Sequence, residues 1–151
     1  MRYTQVRNML DQVADYHGQL ANYYSQLSDD AAQQRVKMLL DYMASHEINL
    51  QGSLAAYEED ASRQILNTYV DCKQCDDVLV TCQQMPIEPE MSVDGVIKAA
   101  MDVDRCLLRF YREVAENAEP ESVRDVFRNL VEMEEAELRK LALNALGATD
   151  I

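Results

Sequence analysis

The feature of this chain that most constrains its fold is a set of ionisable residues at positions where an apolar core is expected. Four stretches carry apolar residues at the three- and four-residue spacing of amphipathic helices. Each stretch is interrupted on its apolar face by His17, by Glu47, by Asp104, or by Glu134 with Glu137. Burying an unpaired carboxylate costs several kcal/mol, so such an interior needs a metal ion, a proton or a network of hydrogen-bond donors.

The ionisable residues recur at one fixed separation. His17 and Asp104 are 87 positions apart, and so are Glu47 and Glu134. The same offset aligns further residues without a gap, namely Asp15 with Asp102, Leu20 with Leu107, Tyr24 with Tyr111, Val36 with Val123 and Leu54 with Leu141. Because the helical spacing and the polar interruptions agree, the sequence predicts a duplicated helix pair that points its acidic groups into one shared interior layer.

The composition favours a single all-α domain. A chain of 151 residues matches one ordinary domain, and we assign residues 1–151 to it. Only four glycines and three prolines are present, and helix-forming residues dominate, while the β-branched runs that a sheet would need are missing. These features predict helices throughout and no sheet.

The periodic stretches predict four long helices in two hairpins. They cover residues of about 4–27, 31–57, 92–116 and 120–147, with a break at Ser28-Asp29-Asp30 and an N-cap at Ser92. The turns within hairpin one (about 4–57) and hairpin two (about 92–147) are short, so each pair is antiparallel. Residues of about 58–91 form a long crossover, in which we expect a helix over 65–80 and none over 85–89.

The charge and hydropathy of the chain disfavour several functions. A net charge of −13 leaves too few clustered cationic residues for nucleic acid and disfavours anionic lipid. No stretch approaches the roughly 20 apolar residues of a membrane span. The N-terminal residues lack the apolar core of a signal peptide, so we expect a cytoplasmic protein with reduced cysteines.

The residues AMDVDRCLLRFYRE at 100–113 and LVEMEEAE at 130–137 carry a resemblance to a known family. They resemble the third and fourth helices of rubrerythrin-like proteins in the ferritin-like superfamily. The resemblance implies a ferritin-like four-helix bundle, with two antiparallel hairpins joined by a long crossover. It also implies a carboxylate metal site whose ligand positions are held here by His17, Glu47, Asp104, Glu134 and Glu137. The sixth position of that pattern is Leu50, which cannot bind a metal.

The departures from the family pattern leave three interpretations open. In the first, these residues bind iron, manganese or zinc, and the resemblance then implies iron oxidation or the handling of peroxide. In the second, no metal binds, the carboxylates are hydrogen-bonded internally, and the chain is a non-catalytic module that acts by self-association or partner binding. In the third, the helix register differs and the residues are partly solvated. Whether the chain is an enzyme stays open, and a homodimer is expected because related bundles pair along their helices.

Two other groups of residues contain metal-ligand types. Cys72 and Cys75 form a lone CxxC pair, with Cys82 and Cys106 elsewhere, and we expect reduced thiols there rather than a zinc or iron site. His46 adjoins Glu47 but points about 100° away around the helix, so we expect it at the surface or an interface.

Overall fold

A computed structural model describes residues 3–71, 82 and 92–149, with side chains as far as residue 143. Its elements, in chain order, are β1 (Tyr3–Gln5), α1 (Val6–Asp30), α2 (Gln34–Asp60), α3 (Arg63–Leu66), β2 (Tyr69–Asp71), α4 (Val93–Asn117) and α5 (Glu121–Thr149). Of the helices in these ranges, none is long and apolar enough to cross a membrane.

The four long helices form two hairpins, in which α1 packs along α2 and α4 packs along α5. Helix α4 begins and ends 87 residues after α1 (93 − 6 and 117 − 30), and α5 begins 87 residues after α2 (121 − 34). Three residues separate the helices of each hairpin, 31–33 and 118–120. The predicted all-α bundle of two antiparallel hairpins joined by a long crossover is therefore confirmed, and the matching boundaries agree with the 87-residue duplication.

The first hairpin turns three residues later than the sequence predicted. The expected break at Ser28 is wrong, because α1 continues to Asp30 and α2 begins only at Gln34. Ser28 is buried, and its hydroxyl lies within hydrogen-bond distance of the Asp41 carboxylate and of the Lys37 carbonyl on α2. The hydroxyl thus fastens the two helices together, which removes the competition with the backbone that usually ends a helix at serine.

A short antiparallel pairing corrects the expectation of no sheet. Thr4 in β1 lies opposite Val70 in β2, and the Val6 amide extends the contact by donating to the Thr68 carbonyl at 3.0 Å. The expected helix over 65–80 is also wrong where the structure describes it, since helix α3 gives way to strand β2. Two three-residue strands need no β-branched run, so composition could not reveal them. Their effect is to fix the start of α1 against the chain that follows α3.

A disulfide between Cys82 and Cys106 contradicts the expectation of reduced cysteines for this pair. Cys106 is buried on α4, and Cys82 is buried in the crossover with its Cα 5.6 Å from that of Cys106. The Tyr16 hydroxyl on α1 donates a hydrogen bond to the Cys82 carbonyl. Cys82 is thereby held against both hairpins. Cys72 and Cys75 lie outside the described residues.

Replacing both Cys82 and Cys106 by alanine should lower the free energy of unfolding by about 3 kcal/mol, because the crosslink closes a loop of 24 residues in the unfolded chain. Urea unfolding of the variant and of the unaltered protein, both without reductant, measures the difference. Alkylation and mass spectrometry of the unfolded, unreduced protein give the control. Modification of Cys106 under those conditions would show that the crosslink does not form.

Candidate metal centre

Four of the five residues singled out in the sequence meet inside the bundle, one from each long helix. His17 comes from α1, Glu47 from α2, Asp104 from α4 and Glu134 from α5, and each is at most 2 % exposed. We call these four residues the polar layer. The third interpretation, of partly solvated side chains, is excluded for them by this burial.

The imidazole of His17 stands between the two glutamates of the polar layer. Its Nδ1 lies 2.5 Å from Glu47 Oε2, a short hydrogen bond, and its Nε2 lies 3.2 Å from Glu134 Oε1. The second contact has the distance of an ion pair but not the direction of a hydrogen bond. Consequently both oxygens of Glu134 lack a hydrogen-bond partner among the described residues. Buried carboxylate oxygens in this condition are rare and call for a partner.

Electrostatics place the protons of the polar layer. Burial by itself lowers the pKa of His17, but its contacts with Glu134 and Glu47 outweigh burial and raise that pKa to about 10. Burial raises the pKa of Asp104 well above its usual value, and the charges of Glu47 and Glu134 raise it further, with partial opposition from His17. Without a metal, a cationic His17 is therefore the favoured form at neutral pH, and the raised pKa of Asp104 opposes its ionisation.

Three buried tyrosines surround the polar layer. We expected Tyr24 and Tyr111 near it, and their pKa values are raised well above normal, first by burial and then by Glu47 and Glu134 respectively. The Tyr111 hydroxyl has no hydrogen-bond partner in the described part of the chain. Tyr16 was not singled out in the sequence, yet burial and then Glu47 raise its pKa too. The sequence signal that could have identified Tyr16 is its position next to His17.

Glu137, the fifth residue, lies outside the polar layer. Its Oε2 is 3.2 Å from His46 Nδ1, its Oε1 is 3.4 Å from Lys140 Nζ, and its side chain is 23 % exposed. His46 is itself only 7 % exposed, which corrects the expectation of a surface residue, and its ring stacks on Tyr42 with centroids 6.3 Å apart. The sequence could not show the pairing of His46 with Glu137, because it depends on how α2 and α5 pack.

The donor chemistry of the polar layer fits a divalent transition metal. Three carboxyl groups and one imidazole are the ligand types that iron, manganese and zinc accept, and the Glu134 oxygens are unpaired. Within the described residues, no three histidine, cysteine or acidic side chains stand ready-made around one point. The side chains do not surround one point because the His17 ring lies between Glu47 and Glu134. Binding therefore requires these side chains to turn, while their identities and burial already suit the ion.

The bundle is ferritin-like in its fold. No protein-family model matches the chain, and no curated protein matches it. Among solved structures, it matches that of a Thermotoga maritima protein described provisionally as a ferritin-like diiron-carboxylate protein. The two share a TM-score of 0.59 and 13% sequence identity, over 94% of this chain and 95% of that one. At this identity the likeness shows the fold alone.

In the metal-free protein, the free energy of unfolding should fall as the pH rises from about 6.5 toward 10. The folded pKa of His17 lies above its unfolded value, so its stabilisation is complete below 6.5 and is lost as the pH passes through 10. The slope should approach about 1.4 kcal/mol per pH unit. The raised pKa of Asp104 acts with the same sign and cannot cancel this fall.

Urea unfolding of chelator-treated protein at several pH values measures this slope, and two variants assign it. His17→Gln should reduce the slope to the part that Asp104 contributes, whereas His46→Gln should keep it, because only His17 lies between two buried carboxylates. Equal slopes in the unaltered protein and in His17→Gln would show that His17 is not held as an imidazolium.

Proposed function

We propose that this chain is a metal-binding protein of the ferritin-like fold, which holds a divalent transition ion, iron, manganese or zinc, in its polar layer. The observation that carries the proposal is the state of Glu134. Both of its oxygens are buried and neither has a hydrogen-bond partner among the described residues. A bound cation satisfies such oxygens directly, whereas a buried polar atom without a hydrogen bond costs about 1–3 kcal/mol, which the ion pair of Oε1 with His17 Nε2 offsets only in part.

Each residue of the polar layer has a definite part in this proposal. Glu47 and Glu134 supply carboxylate oxygens, Asp104 supplies a third carboxylate after losing its proton, and His17 supplies one ring nitrogen after losing its own. Metal binding therefore releases protons, as it does wherever ligands must be deprotonated. Because the four side chains are almost fully buried, water reaches the ion poorly and its electrostatic hold is strong.

Two positions favour a single ion over a pair. Leu50, at the sixth position of the rubrerythrin-like pattern, is buried and has no donor atom. Glu137 contacts His46 rather than the polar layer. We therefore interpret the site as an altered, mononuclear relative of the rubrerythrin-like centre. An iron ion bound there would supply one-electron chemistry suited to iron oxidation or peroxide handling, with Glu47, Asp104 and Glu134 balancing its charge.

A second candidate function is favoured by the contact between His17 and Glu47. With Nδ1 and Oε2 only 2.5 Å apart, the imidazolium already supplies a positive charge to the polar layer. In this alternative the chain binds no metal and is a non-catalytic helical module. It would act by self-association or by binding a partner. The expected homodimer stays a prediction under both functions.

Metal content separates the two functions. Untagged protein, stripped with chelator and reloaded with iron(II) without oxygen, should retain about one ion per chain after desalting. The double variant Glu47→Gln/Glu134→Gln should weaken iron binding by more than about tenfold, because both isosteric changes remove ligand oxygens. Elemental analysis with a competing chelator measures both. Glu132→Gln removes an exposed charge from the same helix and serves as the control. Equal iron content in all three proteins would refute the proposed site.

Thermal unfolding gives a second measurement. A ligand that binds only the folded state stabilises it by about 2.7 kcal/mol at one hundred times its dissociation constant. At least one of iron(II), manganese(II) and zinc(II) should therefore raise the melting temperature of the unaltered protein, and the double glutamine variant should not respond. No rise with any of the three ions would favour the metal-free module.

A further inference from the structure

The side chains of the polar layer are closed off from solvent in the described structure. Its four side chains are at most 2 % exposed, so an ion cannot reach them directly from solvent. Glu137 lies three residues beyond Glu134 on α5, about one helical turn away, and its side chain is 23 % exposed. Its charge acts on buried Asp104, whose pKa it raises. Glu137 is therefore in contact with solvent, and its charge also acts on the polar layer.

His46 adds a nitrogen donor at the same place. Its Nδ1 lies 3.2 Å from Glu137 Oε2, while its Nε2 is buried and has no hydrogen-bond partner among the described residues. Tyr42 stacks on the ring and limits its rotation. Zinc bonds to imidazole nitrogen and to carboxylate oxygen are each about 2.0–2.2 Å long, so Nδ1 and Oε2, which lie 3.2 Å apart, can bind one ion together.

We propose that His46 and Glu137 form an outer capture site, which takes a divalent transition ion from solvent and passes it inward to the polar layer. The transfer rests on the proposed function. The capture site itself needs only these two residues, and neither is a ligand of the mononuclear centre described above. Imidazole nitrogen with carboxylate oxygen selects ions such as cobalt(II), zinc(II) and iron(II) over magnesium, which prefers oxygen ligands.

The charges around the outer capture site support stepwise uptake. A chain with a net charge of −13 concentrates cations at its surface. Lys140 lies 3.4 Å from Glu137 but is itself mostly exposed, so an arriving cation can displace it at little cost. Glu137 and His46 then replace part of the water around the ion. Asp104 and Glu134, one helical turn inward, replace more of it.

Two surface grooves in the described part of the chain fit this role less well, because neither is lined by a histidine. In the groove between α4 and α5, three arginines are balanced by three glutamates, namely Glu116, Glu132 and Glu135. The groove between α1 and α2 has Asp15 as its only ionisable lining residue and contains no histidine.

The transfer step is tested by the rate at which the stripped protein takes up cobalt(II), followed by visible absorption in a stopped-flow instrument. His46→Gln and Glu137→Gln should each slow uptake by about tenfold or more. The equilibrium affinity should stay within about threefold of that of the unaltered protein, because the polar layer is intact. Glu132→Gln, on the opposite face of α5, removes the same charge as Glu137→Gln and should leave the rate unchanged.

The outcomes separate the two proposals. Equal uptake rates in all four proteins, with normal binding at equilibrium, would overturn the outer capture site and leave the metal centre standing. A loss of affinity equal to the loss of rate would show that His46 and Glu137 are ordinary ligands of the centre. An unaltered protein that binds no cobalt(II) would overturn both.

The capture step is tested separately by nuclear magnetic resonance, because the chain has only two histidines. In the Glu47→Gln/Glu134→Gln variant, substoichiometric cobalt(II) should broaden the ring signals of His46 before those of His17. Adding Glu137→Gln should abolish this selectivity. Broadening of His17 first, or selectivity that survives Glu137→Gln, would refute capture at this pair.

Discussion

The fold depends on the placement of one imidazolium between two buried glutamates. Glu47 and Glu134 come from different hairpins, and His17 contacts both, so a single cationic ring neutralises charge across the centre of the bundle. Without it, three acidic groups would share an apolar interior, where an unpaired charge costs several kcal/mol. The raised pKa of Asp104 opposes a third negative charge, so one cation then faces two carboxylates. The apolar packing around Phe110, Phe127 and their neighbours encloses this partly neutralised layer.

The 87-residue correspondence explains why the charges meet, and its divergence explains why they partly balance. Residues 87 positions apart occupy equivalent places in two similar hairpins, so Glu47 and Glu134 lie at matching levels of α2 and α5. Equivalent acids at all four positions would leave a layer with no positive charge. His17 and Asp104 break that equivalence, because one supplies a cation and the other holds a proton. The asymmetry between the first helices therefore reduces the net charge that the repeated bundle buries in the absence of a metal.

Helical periodicity made the architecture predictable, since apolar spacing and equal loops define two hairpins whatever the identity of their residues. The convergence of His17, Glu47, Asp104 and Glu134 was predictable for the same reason. Periodicity shows which face a residue occupies but not which partner it meets across the bundle. The pairing of His46 with Glu137, the disulfide of Cys106 and the Ser28 contact with α2 all depend on helix packing, and each departed from expectation. The strand pairing of Thr4 with Val70 joins segments that are 66 positions apart, with no local signal.

The same imidazolium that stabilises the metal-free bundle opposes a metal. A divalent ion gains the attraction of Glu47, Glu134 and Asp104, but it must first displace the protons that His17 and Asp104 carry. The net affinity for the ion is therefore the difference between its attraction to the carboxylates and the cost of removing those protons. This affinity increases with pH, because the protons become easier to remove. Burial strengthens the attraction between the carboxylates and the ion, but it also slows the arrival of the ion from solvent. Under the two proposals, the polar layer sets the affinity for the ion, and Glu137, whose side chain is 23 % exposed, sets the rate at which the ion arrives.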